Sequence, residues 1–283
     1  MAEELSDLKI LRSLMLNETT SEAIELMRDC NLLVSKTLAE IAKIVEPGVT
    51  TLELDRIAEA FIRDHGAVPG FKGYQGFPNA LCTSVNSEVV HGIPSSYILK
   101  EGDIVSIDCG VKMNGYYGDT AYTYGIGELS HETAELLRVT YESLFKGIEQ
   151  AVSGKRVGDI GFAIQQHVEK ARFSVVREMV GHGIGEELHK EPEVPNYGKR
   201  GRGNLLRAGM ALCIEPMINL GGKAIIQEAD GWTIRTRDKQ PSAHFELALV
   251  VGKSEADILS TFKYIEEELI NKNKGLPWQN KKP

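Results

Sequence analysis

Asp108 and Asp119 lie on the two strands of a predicted β-hairpin in the segment GDIVSIDCGVKMNGYYGDTAYTY, residues 102–124. The dipeptide Asn114-Gly115 between two strand-like runs is a strong signal for a two-residue turn. With this turn, Gly110 pairs with Asp119 across the hairpin. Asp108 lies two residues from Gly110 on the same face of the sheet, so the two aspartates are diagonal neighbours, roughly 7–8 Å apart at the backbone.

Two carboxylates converging on one face of a sheet need a physical reason. Aspartate is disfavoured inside strands, and like charges this close repel unless a proton or a cation lies between them. Either aspartate alone fits an exposed polar face. The two together are flanked by Gly110 and Gly118, which we interpret as leaving room for a ligand beside them. The pair therefore predicts a metal site.

Two glutamates occur in strand-like segments further along the chain. Glu215 ends a short apolar strand, and Pro216 after it limits continuation of that strand. Glu246 lies in the alternating segment 242–251, on the same face as His244 and among mostly apolar neighbours. Because an unpaired buried carboxylate is costly, each glutamate needs either backbone amides or a cation as a partner.

Three histidines lie in glycine-bearing segments. His182 stands between Gly181 and Gly183 in VGHGIGEELHKEP, His189 follows seven residues later, and His91 opens a loop in VVHGIP. A single histidine is more often structural than a ligand, but the small neighbours favour close approach of a ligand. The spacing is not the H-E-x-x-H of common zinc proteases, nor the G-x-G-x-x-G of a dinucleotide-binding fold.

One histidine and four carboxylates form the predicted metal-binding set, namely Asp108, Asp119, His182, Glu215 and Glu246. Two divalent ions carry four positive charges, which neutralise four carboxylates. Ligation mainly by oxygen, with one imidazole, suits Mn, Fe or Co more than a structural zinc site. Carboxylates that bridge two ions hold them roughly 3.5–4 Å apart, where the ions activate a water.

Helices and short antiparallel strands must position these residues. Apolar residues at three- and four-residue steps predict a helix over 21–45, which Pro47-Gly48 ends, and a second helix begins at Thr50. The same order recurs with a helix capped by Ser130 and another over 157–171. The strands are short and interrupted by Gly and Asn, which indicates antiparallel sheets and an α+β fold.

The matching order of elements divides the chain into two halves, at about 21–127 and 130–253. Both belong to one catalytic domain over 21–253. Residues 1–20 are then an N-terminal extension and residues 254–283 a C-terminal tail, whose last twelve residues carry four lysines and no acid.

Composition narrows the class of protein further. The chain has 283 residues, 42% of them hydrophobic, and a net charge of −8, which is ordinary for a globular protein and argues against a nucleic-acid binder. Four isolated cysteines without C-x-x-C argue against a zinc finger or a disulfide framework and fit a reducing compartment. Neither a signal peptide nor a membrane-spanning run is visible, so we expect a cytoplasmic protein without membrane contact.

Taken together, the motifs resemble the type I methionine aminopeptidases of the pita-bread fold over about residues 21–253. The stretches that carry the resemblance are NSEVVHGIP, GDIVSIDCGVKMNGYYGDTA, GHGIGEELHKEP, CIEPMI, DGWTIRTRD and SAHFELALVV. The resemblance implies two divalent ions (Co, Mn, Fe, Ni or Zn) on the five predicted ligands. It also implies removal of the initiator methionine from nascent polypeptides when the second residue is small. We expect a monomer, and the sequence leaves open whether it contacts the ribosome.

The resemblance further implies roles for individual residues. Glu215 would be the general base, His189 would help to stabilise the oxyanion, and His91 would contact the scissile amide. A pocket for the methionine side chain would be lined by Tyr74, Phe77, Cys82 and Trp232. The sequence itself has an aromatic cluster of Phe71, Tyr74 and Phe77 among glycines, for which ordinary loop packing is the alternative. The chain departs from the family at Phe71, where a smaller residue is usual, and at Leu188, where Phe is frequent.

Two other functions stay open at this point. A pita-bread peptidase that cleaves X-Pro bonds usually has a further N-terminal domain, whereas about 20 residues precede the first predicted helix here. A catalytically inactive pita-bread protein would act as a binding module, but such proteins lose metal ligands, and all five are present. Loss of methionine release on addition of a chelator would separate an enzyme from a binding module.

Overall fold

The computed structural model describes residues 19–272, 275, 276 and 278. Apart from Thr19 and Thr20, the predicted N-terminal extension lies outside the described residues, as does most of the lysine-bearing tail after Lys272. In the part of the chain that is described, none of the helices has an apolar stretch that could cross a lipid bilayer.

Five α-helices form within the described residues. They are α1 Ser21–Ile44, α2 Thr51–Asp64, α3 His131–Ile148, α4 Val157–Lys170 and α5 Lys263–Asn271. In the structure, α1 and α4 each end one residue before the end predicted for the helices over 21–45 and 157–171. The hydroxyls of Thr20, Thr50 and Ser130 accept backbone N–H groups in the first turns of α1, α2 and α3, as N-caps do.

The strands are short, and all their pairings are antiparallel, as predicted. They are β1 Val68–Pro69, β2 Leu81–Val85, β3 Glu88–Val90, β4 Ile104–Met113, β5 Tyr116–Gly125, β6 Ser174–Val175, β7 Gly181–Gly183, β8 Lys190–Val194, β9 Ala211–Ile214, β10 Met217–Asn219, β11 Ile225–Gln227, β12 Ile234–Thr236, β13 Ser242–His244, β14 Leu247–Val250 and β15 Asp257–Ile258.

Four sheets result from these pairings within the described residues. Their orders are β1-β4-β2 with β5 on β4, β13-β10-β6, β11-β12-β3, and β15-β14-β9-β7-β8. The main apolar core joins helices α1 to α4 to the strands. Helix α5, in the segment predicted as a tail, adds Ile265 and Leu269 to this core. Nearby, the ring of Trp278 lies 5.1 Å from Tyr141 and 6.0 Å from Phe245.

The predicted continuous strand over 242–251 is wrong in one respect, because Phe245 and Glu246 interrupt it. Before the interruption β13 pairs with β10, and after it β14 pairs with β9 in another sheet. The backbone N–H of Glu246 instead donates to the carbonyl of Ala121 on β5, at 2.9 Å. This bond marks the point where the chain leaves one sheet and enters the next.

Candidate active site

The β4–β5 hairpin places two aspartates as the turn predicts. Gly110 pairs with Asp119, which makes Asp108 its diagonal neighbour. Both turn residues have positive φ, 52° at Asn114 and 86° at Gly115, as a two-residue hairpin turn requires. The predicted register is therefore confirmed.

The interpretation of the glycines beside these aspartates was wrong. A Cβ at Gly110 would lie 2.4 Å from the ring of Phe71, and one at Gly118 would lie 2.8 Å from the backbone nitrogen of Asn31 on α1. The space beside the hairpin is therefore filled by the protein itself. Helix α1 uses this close approach to anchor the site, because Asn31 Oδ1 accepts the backbone N–H of Asp119 at 3.1 Å.

Two of the four predicted carboxylates are buried, since the exposed fractions of Asp119 and Glu246 are 3% and 2%. Asp108 and Glu215 are half-buried. Burial raises the pKa of Asp119, Glu215 and Glu246 well above the usual range, and the neighbouring carboxylates raise it further. Burial also raises the pKa of Asp108, to about 6. One carboxylate oxygen each of Asp108, Asp119 and Glu246 has no hydrogen-bond partner among the described residues.

His182 faces the carboxylates through Nε2, which lies 3.8 Å from Asp119 Oδ2 and 3.6 Å from Glu215 Oε1. Its Nδ1 lies 2.9 Å from the carbonyl of Gly183, and burial lowers its pKa to about 4. A neutral ring that donates from Nδ1 to this carbonyl presents the lone pair of Nε2 to the site, which is the form that binds metals.

The glycines around His182 approach other strands and not a ligand, contrary to the sequence interpretation. A Cβ at Gly181 would lie 2.4 Å from the carbonyl of Cys213, and one at Gly183 would lie 2.5 Å from the carbonyl of Glu191. They allow β7 to pack closely between β9 and β8, and this packing fixes the place of the histidine.

Glu215 and Glu246 lie in a gap between two pairs of short strands. On one side of this gap β9 pairs with β14, and on the other side β10 pairs with β13. The side-chain amide of Asn196 donates to the backbone carbonyl of Glu215 at 3.0 Å, while Ala121 accepts the backbone N–H of Glu246. The gap thus brings one glutamate from each chain segment towards the hairpin aspartates.

This donor set fits a divalent cation. One potential ligand atom each from Asp119, His182, Cys213 and Glu246 lies within 4.8 Å of the others. Unpartnered carboxylate oxygens that raise one another's pKa, together with a neutral imidazole, form an arrangement that a cation stabilises and that is costly without one. Two divalent ions would balance the four carboxylates.

A cavity of about 520 Å³ contains the whole set of predicted site residues in its wall. They are Asp108, Asp119, His182, Glu215, Glu246, His91, His189, Tyr74, Phe77, Cys82 and Trp232. The carboxylates form the polar part of this wall. Its apolar part consists of Phe71, Phe77, Cys82 and Leu188, one buried cluster that Tyr74 and Trp232 contact.

The two remaining histidines differ in exposure. His189 is exposed at the cavity mouth, where its Nδ1 lies 2.9 Å from the hydroxyl of Tyr74 and its ring lies 4.4 Å from that of His182. His91 is half-buried and has a φ of 60°, in the left-handed region. Burial lowers the pKa of His91 to about 4, so its imidazole is neutral near pH 7.

Comparison with known proteins agrees with this geometry. Residues 25–253 match metallopeptidase family M24. The chain belongs to this family. It is 52% identical to the methionine aminopeptidase of Clostridium perfringens (strain 13 / Type A) over 240 residues, which cover 85% of this chain and 96% of that protein. It is 48% identical to methionine aminopeptidase 1 of Bacillus subtilis (strain 168) over 241 residues, covering 85% and 97%.

A solved structure also resembles this member of family M24 over most of its length. The crystal structure of methionine aminopeptidase from Rickettsia prowazekii superimposes with a TM-score of 0.84 at 44% identity, covering 86% of this chain and 98% of that one. The expected pita-bread α+β fold and metallopeptidase class are therefore confirmed. The roles of individual site residues stay predictions.

Two residues next to the M24 site escaped the sequence interpretation. His244 is 1% exposed, and its Nε2 lies 3.5 Å from Glu215 Oε2. Cys213 contributes a thiol to the donor set, although the sequence analysis counted it only among four isolated cysteines. A signal was present for each, because His244 stands two residues before Glu246 and Cys213 two residues before Glu215 on alternating segments.

Proposed function

We propose that the protein is a two-metal aminopeptidase that removes the initiator methionine from nascent polypeptides whose second residue is small. One observation carries the proposal. A cluster of buried carboxylates and an apolar, aromatic pocket line the same cavity. The first arrangement suits hydrolysis of an amide bond, and the second suits a methionine side chain, since thioethers make favourable contacts with aromatic rings.

Five residues would hold the two ions, which we propose to be Co, Mn, Fe, Ni or Zn: Asp108, Asp119, His182, Glu215 and Glu246. When bound, the ions supply an activated water and polarisation of the substrate carbonyl. The support for this ligand set is chemical. Among the described residues, no lysine or arginine lies within 4 Å of these carboxylates, and the basic side chains at that distance are the imidazoles of His182 and His244.

Glu215 is the proposed general base. Its carboxylate accepts the proton of the attacking water and delivers it to the nitrogen of the leaving amine. Burial raises the pKa of this carboxyl well above its usual range, which favours its taking a proton as a general base does. Its Oε1 lies 3.6 Å from His182 Nε2, which supports a second role as a metal ligand.

His189 and His91 are the proposed contacts to the reacting amide. When the hydroxyl of Tyr74 donates to Nδ1 of His189, the proton of the neutral ring is on Nε2. That N–H then stabilises the negative charge that develops on the carbonyl oxygen. His91 also lines the cavity, and we propose that it contacts the scissile amide.

The apolar part of the cavity wall is the proposed methionine pocket. Its wall includes Phe77, Cys82 and Trp232, with the rings of Phe77 and Trp232 5.2 Å apart in an edge-to-face contact. Phe71 and Leu188, the two departures from the family pattern, belong to the same buried cluster. They therefore affect tolerance for the first substrate residue and not the chemistry.

The small-second-residue rule follows from the depth of the site. The scissile carbonyl must reach carboxylates that lie in the interior of the protein, so the side chain of the second residue faces protein and not solvent. A large side chain displaces the carbonyl, and a displacement of about 1 Å costs on the order of a hundredfold in rate. Glycine, alanine and serine fit, whereas lysine, glutamate and leucine do not.

Location and partners belong to the same proposal. We place the protein in the cytoplasm, where nascent polypeptide N-termini are its partners, as a monomer whose catalytic domain spans residues 21–253. The lysine-bearing tail from Lys272 onward is the segment to test for ribosome contact.

Methionine release from short peptides tests the function. Metal-stripped protein should not hydrolyse Met-Ala-Ser, and added Mn²⁺ or Co²⁺ should restore hydrolysis, with Met-Leu-Ser slower by about a hundredfold or more. Glu215→Gln should retain part of its metal binding and lose about a hundredfold or more in kcat. Preference for an X-Pro peptide would indicate the related peptidase, and metal binding without any hydrolysis would indicate a binding module.

A further inference from the structure

His244 lies behind Glu215, outside the wall of the cavity. Its side chain is almost completely buried, and its Nε2 lies 3.5 Å from Glu215 Oε2. This distance is at the outer limit of a hydrogen bond, and Nε2 has no other partner among the described residues. Active-site hydrogen bonds are often long in the free enzyme and shorten when substrate binds.

Two backbone contacts fix the position of this histidine. The hydroxyl of Thr123 on β5 accepts the N–H of His244 at 3.0 Å and donates to its carbonyl at 2.6 Å. On the other side, His244 pairs with Met217 across β13 and β10. The backbone of His244 is therefore fixed relative to β5, which carries Asp119, and among the described residues Glu215 is the carboxylate within 4 Å of its ring.

The chemistry of the pair favours donation from the ring. A carboxylate oxygen accepts hydrogen bonds, and Nε2 of His244 faces Glu215 Oε2 at 3.5 Å. With the proton on Nε2, the ring donates to Oε2 of Glu215. Oε1 of the same carboxylate, 3.6 Å from His182 Nε2, then stays directed at the ligand set.

We propose that His244 is a positioning residue, which holds one oxygen of Glu215 so that the other serves the metals and the proton transfer. The assignment rests on the proposed metal-dependent function. Cys213 has the reciprocal place, because it stands two residues before Glu215 while its thiol lies within 4.8 Å of a carboxylate oxygen of Glu246. His244, two residues before Glu246, thus faces Glu215. Cys213, two residues before Glu215, lies near Glu246.

Three substitutions test the role of His244. His244→Leu removes the donor and keeps a similar volume. His244→Asn keeps a polar group too short to reach Glu215, and His244→Gln keeps a donor near the position of Nε2. Loss of an outer-shell hydrogen bond typically costs about 10- to 100-fold. We expect the Leu and Asn variants to lose that much in kcat and in affinity for Mn²⁺, with KM for Met-Ala-Ser within about threefold of wild type, and the Gln variant to recover most of both losses.

The matched control is His167→Leu. His167 also faces a glutamate, with Nε2 3.0 Å from Glu142 Oε2, but on the surface of α3 and α4 away from the cavity. We expect this control to retain wild-type kcat and Mn²⁺ affinity. Calorimetric titration with Mn²⁺ gives the affinity without turnover, and thermal unfolding shows which variants fold.

The outcomes separate this inference from the function on which it rests. Wild-type values of kcat and Mn²⁺ affinity in both His244→Leu and His244→Asn would overturn the positioning role. So would equal losses in His244→Gln and His244→Leu, since a packing role does not depend on a donor. If wild-type protein fails to release methionine while Leu and Asn still weaken Mn²⁺ binding, the proposed function fails and the positioning of Glu215 stands.

Discussion

The two sources of the site's carboxylates differ in how they are held. Asp108 and Asp119 lie on β4 and β5, two ten-residue strands in a regular ladder. Glu215 and Glu246 lie in the gap, where β9 ends before β10 begins and β13 ends before β14 begins. On the ladder, the turn and the pleat set the positions of both side chains. In the gap, contacts from other elements must do so.

The gap depends on residues that come from distant parts of the chain. Asn196 anchors the backbone of Glu215, and β5 supplies both the carbonyl of Ala121 for Glu246 and the hydroxyl of Thr123 for His244. The regular hairpin is therefore also the support for the irregular half of the site. The gap leaves room for a carboxylate on each chain segment. Its backbone is then held by hydrogen bonds from other elements and not by a strand ladder.

The largest effects are expected when one carboxylate is removed from the hairpin or from the gap. We expect Asp119→Asn and Glu246→Gln each to weaken Mn²⁺ binding by more than about 100-fold, because loss of an outer-shell partner alone costs about 10- to 100-fold. Without metal, both variants should be at least as stable as wild type, since like charges that repel are removed. Calorimetric titration and metal-free thermal unfolding measure the two effects. A metal-free Glu246→Gln protein that unfolds earlier than wild type would show that the gap needs this carboxylate for its shape.

An intermediate effect is expected at the link between the hairpin and the gap. Thr123→Val keeps the shape of the side chain and removes its bonds to His244. We expect a loss of about 1–3 kcal/mol in the free energy of unfolding and a clear fall in kcat, because His244 shifts. Urea unfolding and peptide hydrolysis provide the two values.

A buried threonine in a helix provides the control for that link. The hydroxyl of Thr140 donates to the carbonyl of Leu136 within α3, at 2.7 Å. Thr140→Val should cost some stability and leave kcat unchanged. Equal losses of kcat in Thr123→Val and Thr140→Val would mean that the link between hairpin and gap has no special role.

The smallest effect is expected at the hairpin turn. Gly115 has a φ of 86°, and a Cβ there would meet no atom within 4 Å, so Gly115→Ala introduces backbone strain alone. We expect a loss of about 1 kcal/mol in stability and a kcat within twofold of wild type, because the ten-residue ladder keeps its register. A tenfold loss of kcat would show that the ladder is less rigid than its pairing indicates.

The same contrast explains what the sequence could predict. The register of Asp108 and Asp119 followed from Asn114-Gly115 alone, since a two-residue turn fixes every pair along a hairpin. The helices followed from periodicity and from caps such as Thr50 and Ser130. These features depend on neighbours in the chain, so local patterns were sufficient.

The remaining features depend on contacts between distant segments. The interruption at Phe245 and Glu246 needs the carbonyl of Ala121, which no local pattern reveals. The glycines at 110 and 118 were assigned to a ligand, although Phe71 and α1 fill the space beside them. The position of His244 two residues before Glu246 was evident from the sequence. Its contact with Glu215, 29 residues earlier, was not.

The places of the two tryptophans give the protein two separate optical probes. Trp232 lies in the wall of the cavity against Phe77, whereas Trp278 packs on Tyr141 at the edge of the core. Indole emission responds to the polarity of its surroundings. A ligand that enters the apolar pocket therefore changes the emission of Trp232, while loss of the C-terminal packing changes that of Trp278, so a Trp278→Phe protein reports on pocket occupancy alone.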